Sequence, residues 1–256
     1  MNAPAVPSQP ASPGQAPRVV VVTPTYNERE NLPILVEKLT DLGIENLQLL
    51  VVDDNSPDGT GEVADRLAAE HPDRVAVLHR TEKDGLGRAY VAGISRALAE
   101  DADIVIQMDA DLSHPTAVIP EMLRLLRDTD AGVVLGSRYV AGGSAAGEWA
   151  WYRRLLSAWA NAYVNVILRL HVKDATAGFK AWKADTLRRI DVGTIRSNGY
   201  AFQVEMNYRT VRQQIKITET PIRFEERNEG QSKMTLAVQL ESALMPWRLL
   251  FGGRRS

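Results

Sequence analysis

Two carboxylates one residue apart, Asp109 and Asp111, stand in the run Met108-Asp109-Ala110-Asp111-Leu112-Ser113-His114. Before them, Ala102-Asp103-Ile104-Val105-Ile106-Gln107 reads as a buried strand, and after them come Pro115 and a helical pattern over 116–127. Alternate residues of an extended segment point the same way, so the pair can converge on one cation. Two bare carboxylates that close repel each other and need a counter-charge. A divalent metal whose shell is completed by phosphate oxygens supplies it. The competing reading is a solvated pair that caps the next helix, and the Asp-x-Asp spacing alone does not decide between the two. His114 reads as a turn residue rather than a ligand.

The pair has to be held by the elements around it. Residues 18–23 form a continuous β-branched run, as in strands buried on both faces of a parallel sheet. The polar turn Pro24 to Glu30 follows, and Asn31 is positioned to cap a helix over 32–42, with Pro33 in its first turn. A second strand, 47–52, ends in Asp53-Asp54-Asn55-Ser56-Pro57-Asp58-Gly59 and opens a helix to about residue 70. A third strand at 74–79, a helix to about 99, the strand before Asp109 and a fifth strand at 131–135 continue the alternation. This pattern predicts an α/β fold, a single mostly parallel sheet with helices on both faces. Parallel strands gather their C-terminal ends on one edge, so Tyr26-Asn27-Glu28, Asp53-Asp54 and Asp109/Asp111 should share a crevice. Arg138, in Gly136-Ser137-Arg138-Tyr139, would face the same crevice and offer a guanidinium to a phosphate.

Composition narrows the classes. The chain has 256 residues, 45% hydrophobic and 24% charged, which suits a globular domain with a sizeable core. A net charge of -2 argues against a general nucleic-acid binder, and the absence of cysteine excludes disulfides, thiolate metal sites and a Cys nucleophile. Residues 1–17 carry five prolines among Ala, Ser and Gln and read as a disordered tail with no signal-peptide pattern. A single folded domain is expected over 18–234 and an amphipathic C-terminal helix with a basic tail over 235–256. No run approaches the length of a membrane span. The stretch 149–170 combines Trp, Tyr and Arg as a membrane-interface helix does, and an ordinary buried helix fits it equally well. Later come a turn followed by a short strand over Asp174–Trp182, a helix from Gly199 to about Arg212, a strand over 215–224, and a charged loop holding Arg227 and Lys233.

Taken in order, Pro24-Thr25-Tyr26-Asn27-Glu28, Asp53 to Thr60, Asp109-Ala110-Asp111, Gly136-Ser137-Arg138-Tyr139 and Arg227 with Ser232-Lys233 resemble the motifs of family 2 inverting glycosyltransferases with a GT-A fold. Within that family they look like the dolichol-phosphate and bacterial polyprenyl-phosphate mannose synthases. The resemblance runs from residue 18 to about 240. It implies GDP-mannose as donor, a polyprenyl monophosphate as acceptor, and a β-linked lipid-phosphate mannose as product. It matches Pro24, Tyr26, Glu28, Val52 and Asp54 to nucleoside-holding positions, with Asp54 accepting from guanine and Tyr26 beside it. It matches Asp109, Ala110 and Asp111 to the diphosphate and a Mg2+ or Mn2+ ion. Ser113 stands where relatives carry Gln, a shorter oxygen ligand that a water would have to extend. Arg138 and Arg153 match the arginines that grip the acceptor phosphate, and Arg227 and Lys233 match a loop closing over the phosphates, with Asp111, Arg227 and Lys233 as the catalytic set.

A lipid acceptor and the lack of a span together imply peripheral binding at the cytoplasmic face of a membrane, with a separate integral membrane protein as a possible anchor. A polyprenyl-phosphate glucosyl or N-acetylhexosaminyl transferase using a UDP-sugar is the nearest alternative. Gly59-Thr60-Gly61-Glu62-Val63-Ala64 also fits a dinucleotide-binding pattern, but it follows the second strand and two Asp that would repel a pyrophosphate. A non-catalytic sugar-nucleotide binder is disfavoured by the intact Asp109/Asp111 pair and the Arg227/Lys233 loop.

Overall fold

The computed structural model describes residues 16–144, 151–224 and 245–251, and only the backbone of 151–158. The expected N-terminal tail up to residue 15 and the loop with Arg227 and Lys233 lie outside the described residues, as does most of the C-terminal extension.

Seven strands form one sheet, β1 (Val19–Thr25), β2 (Leu47–Asp53), β3 (Val75–His79), β4 (Ile104–Gln107), β5 (Ala131–Ser137), β6 (Lys180–Lys183) and β7 (Lys216–Pro221), in the order β3-β2-β1-β4-β6-β5-β7. Every neighbouring pair is parallel except those of β6, which runs antiparallel to both β4 and β5. The strand order reverses at β1, since β2 and β3 lie on one side and β4 on the other. That reversal opens a crevice beyond the C-terminal ends of β1 and β4, the place where open α/β sheets bind ligands.

Helices cover both faces. α1 (Asn31–Thr40), α2 (Thr60–Glu70) and α4 (Ile119–Asp128) pack over Val19, Val21, Leu49 and Ile106. α3 (Leu86–Ala99), α5 (Trp151–Leu168), α6 (Ala184–Arg189) and α7 (Gly199–Arg212) pack over Val20, Val22, Leu50 and Val105. The β-branched run of β1 is therefore buried on both faces. Gly93 lets α3 sit tight on the sheet, because a Cβ there would come within 2.5 Å of Val22 Cγ1 and 2.7 Å of Val52 Cγ2.

Two expectations need correction. Asn31 does not cap α1; it is already the first helical residue, preceded by Glu30, and its amide donates to Glu28 Oε2 at 2.7 Å. β1 also runs on through Pro24 and Thr25, which the sequence places in a turn. The proline is tolerated because pairing with β4 stops at Val22, so the missing N–H lies where β1 has become an edge.

Candidate active site

The crevice is a cleft of about 860 Å³ lined by Pro24, Tyr26, Glu28, Asp54, Lys83, Asp109, Ala110 and Asp111, among others. Loops after β1, β2 and β4 thus bring together most of the residues named for the donor. Val52 is the exception. Its side chain is fully buried beneath α3, and it does not line the cleft.

The loops are laced to one another. The Glu28 amide donates to Thr60 Oγ1 at 2.9 Å, and the Asn27 amide to Ser56 Oγ at 3.2 Å. Asp53, one residue before the cleft, takes the Ser56 hydroxyl at 2.6 Å and the Thr25 hydroxyl at 3.2 Å. Asn27, Asn55 and Leu112 all hold left-handed backbone, with φ of 63, 57 and 61°. Asn adopts this conformation readily, whereas Leu does so at a cost. Leu112 is kept there by its neighbours. Ser113 donates to Asp111 Oδ1 through both its main-chain N–H, at 3.1 Å, and its hydroxyl, at 2.6 Å, and the Asp109 amide donates to His114 Nδ1 at 3.1 Å. His114 itself stacks on Phe179, so it pins the loop as its turn assignment implies.

Tyr90, on α3, is a site residue that the sequence did not reveal. Its hydroxyl donates to Asp109 Oδ1 at 2.6 Å, and its ring stacks on Phe202 of α7 with centroids 5.8 Å apart. Burial first, then the Asp109 charge, raise its pKa well above the ordinary value, so it remains a proton donor. Asp109 and Asp111 are therefore each oriented through Oδ1 by fixed donors, the arrangement that usually supports carboxylate ligands. Among the described residues no cluster of three or more His, Asp or Glu closes around one point. A hard cation held by these two carboxylates, with phosphate oxygens completing its shell, fits this donor set. Ser113 is fully buried with its hydroxyl proton on Asp111.

At the far end of the cleft Asp54 is almost fully buried and ion-paired with Arg80. Burial raises its pKa, and Arg80 opposes the rise. Tyr26 lies at the mouth with the Lys83 ammonium 3.5 Å from its ring centroid. Neither Arg80 nor Lys83 was legible as a site residue, since each reads as a solvated charge after β3.

Arg138 does not line this cleft. It follows β5 and forks onto Asp174, with Nε at 2.8 Å from Oδ2 and Nη2 at 2.7 Å from Oδ1, while Nη2 also reaches Thr176 Oγ1 at 2.9 Å. Burial would lower its pKa, but the hydrogen bonds and charge of Asp174 prevail and raise it. Among the described residues no hydrogen bond reaches Nη1. The side chain of Arg153, on α5, lies outside the described residues, as do Arg227 and Lys233.

The dinucleotide reading does not survive the geometry. The Thr60 amide at the start of α2 is taken by Asp58 Oδ1 at 3.0 Å, so the first turn offers a carboxylate where a pyrophosphate would sit.

Fold and cleft together define a GT-A sugar-nucleotide transferase. The family model for glycosyl transferase family 2 matches residues 20–191, and the chain belongs to that family. It is 47% identical over 227 residues to the undecaprenyl-phosphate mannosyltransferase of Micrococcus luteus, covering 89% of this chain and 91% of the relative. It is 44% identical over 228 residues to the polyprenol monophosphomannose synthase of Mycolicibacterium smegmatis, covering 88% and 84%. Among solved structures it resembles glucosyl-3-phosphoglycerate synthase of Mycobacterium tuberculosis in complex with UDP, at a TM-score of 0.69 and 16% identity over 91% of this chain and 80% of that one. It also resembles a mannosyltransferase of Pyrobaculum calidifontis in complex with GDP-mannose and Mn2+, at a TM-score of 0.61 and 20% identity over 95% and 66%. These two likenesses concern the fold.

Proposed function

We propose that the protein transfers mannose from GDP-mannose to a polyprenyl monophosphate with inversion, making β-linked polyprenyl-phosphate mannose. The observation that carries this reading is the convergence of Tyr26, Glu28, Asp54, Asp109 and Asp111 in one cleft at the strand reversal, in a chain nearly half identical to a curated mannosyltransferase of this kind.

Asp54 accepts from the guanine edge with Arg80 behind it, and Tyr26 packs beside the base. Asp109 and Asp111 would hold a divalent ion, Mg2+ or Mn2+, beside the diphosphate. When bound, the ion offsets the negative charge that builds on the leaving GDP. Tyr90 and Ser113 keep the two carboxylates turned toward it. The nucleophile is a lipid phosphate, already anionic at neutral pH, so the site needs no strong general base. It needs orientation and relief of repulsion between two phosphates. Arg138, fixed by Asp174 with Nη1 left over, supplies these together with Arg153. Arg227 and Lys233 supply positive charge to the departing diphosphate. In-line attack at the anomeric carbon turns an α donor into a β product.

The same reading places the enzyme at the cytoplasmic face of a membrane, peripherally, with a separate integral membrane protein as its anchor. No described helix is long and apolar enough to cross a bilayer. Exposed Trp159 stacked on Tyr163, and Trp247 stacked on Phe251 and bonded to the Tyr163 hydroxyl, form an aromatic surface of interfacial type. Co-sedimentation with anionic liposomes tests it, and Trp159→Ser/Trp247→Ser should release the protein. Transfer of label from GDP-mannose into the organic phase, beside UDP-glucose, tests the reaction. Label from UDP-glucose alone would overturn the donor and keep the mechanism.

A further inference from the structure

Lys180 is fully buried in the middle of the sheet, and among the described residues no carboxylate is hydrogen-bonded to it. On β6 it pairs with Gln107 of β4 on one side and Leu135 of β5 on the other. It therefore sits between the strand that delivers Asp109 and the strand that delivers Arg138. Its amino group donates to two neutral acceptors on α7, the Gln203 main-chain oxygen at 3.1 Å and Asn207 Oδ1 at 3.0 Å. A methionine of similar volume would pack there without the desolvation cost of an amine.

The two α7 residues are four apart, so they share one face of the helix. Each reaches a different arm of the site. Gln203 Oε1 takes the Gln107 amide at 2.7 Å, two residues before Asp109. Asn207 Nδ2 donates to the Ala175 oxygen at 2.9 Å, next to Asp174, which grips Arg138. All four polar residues are buried.

We propose that Lys180 is a positioning residue for transfer: by tying Gln203 and Asn207 to β6, it sets the Asp174–Arg138 pair relative to the strand end bearing Asp109. This rests on the reading of Arg138 as the acceptor-phosphate residue. Lys180 touches no substrate and acts through Asn207 and the turn at Ala175.

The test compares Lys180→Met, Lys180→Gln and Asn207→Leu with wild type and with Arg138→Ala in the full-length protein. The readouts are kcat and KM for polyprenyl phosphate in detergent, GDP affinity by calorimetry, and thermal melting. The expected result is GDP affinity within twofold of wild type, a Lys180→Met protein that still melts cooperatively above the assay temperature, and a loss of roughly tenfold or more in kcat/KM for the acceptor. Residues acting through one contact are non-additive, so Lys180→Met/Asn207→Leu should lose no more than the worse single variant. Lys180→Gln keeps one amide donor at the same depth and covers the case in which Lys180→Met does not fold; it should lose severalfold. If Arg138→Ala leaves acceptor kinetics unchanged, the reading of Arg138 fails whatever Lys180 does. If Arg138→Ala damages acceptor use while the folded Lys180 and Asn207 variants stay within twofold of wild type, the positioning role is refuted.

Discussion

Tyr90→Phe deletes one hydroxyl and leaves the ring in place against Phe202. The lost bond is short, 2.6 Å, and its acceptor is the charged Asp109 carboxylate. A hydrogen bond to a charged group contributes about 1.5–3 kcal/mol. Asp109 is only half-buried, so in the free protein water replaces much of the lost donor, and folding stability should fall by less than about 1 kcal/mol. Water does not restore orientation. At least the remaining ~0.5–2 kcal/mol should fall on metal affinity, and at about 1.4 kcal/mol per decade that is a loss of roughly 2- to 30-fold or more, reaching the range usual for supporting residues around metal ligands. The assay is Mn2+ titration followed by electron paramagnetic resonance of the free ion, in the presence of GDP, with melting measured in parallel. Equal Mn2+ affinity in wild type and Tyr90→Phe would refute the reasoning, because Asp109 would then not depend on Tyr90 for its pose, or would not hold the ion.

Other consequences follow from the charged groups. Burial raises the Asp54 pKa against the pull of Arg80, so GDP binding through an ionised Asp54 should be lost on acidification at a pH above the ordinary 3.8. Arg80→Met removes the main opposition to burial, leaving only the weaker pull of Lys83, and should move that loss to higher pH; superimposable GDP-binding profiles of the two proteins would count against it. Asp174→Asn strands a buried guanidinium and should cost about 3–5 kcal/mol in chemical denaturation, whereas Arg138→Leu/Asp174→Leu should recover part of it. Burial lowers the Lys180 pKa from 10.5 to about 7. Between those values the unfolded chain holds a proton that the folded one has released, so this group adds stability as pH rises from about 7 toward 10.5, by up to about 1.4 kcal/mol per pH unit. Lys180→Met should lack that slope, and urea midpoints for the two proteins that run parallel over this range would contradict it.

Much of the site was legible because its chemistry sits at strand ends. A β-branched run followed by an acidic turn announces both the strand and the edge on which its ligand residues fall, and Asp54, Asp109 and Asp111 were read that way. The parallel sheet followed from the strand–helix alternation. What was missed is what reaches the site from the side. Tyr90 lies inside a helical pattern where an aromatic reads as core, and only tertiary packing turns its hydroxyl onto Asp109. Asp174 was read as part of a turn, and its pairing with Arg138 spans β5 and the approach to β6, which no local pattern signals. β6 itself is short and runs against the rest of the sheet, so its insertion between β4 and β5 carries no period of its own. Lys180 is the extreme case, since a lysine in a short polar-looking strand gives no sign of being fully buried. Asn31 shows the reverse error, a good capping residue whose amide is instead used by Glu28 three residues back.

The transfer reaction is the most direct test. Purified protein, radiolabelled GDP-mannose, a polyprenyl phosphate in detergent and Mg2+ or Mn2+ should yield organic-phase label that is lost with EDTA and with Asp111→Ala. Undiminished label from Asp111→Ala, or transfer that persists without any divalent ion, would contradict the site built around Asp109 and Asp111.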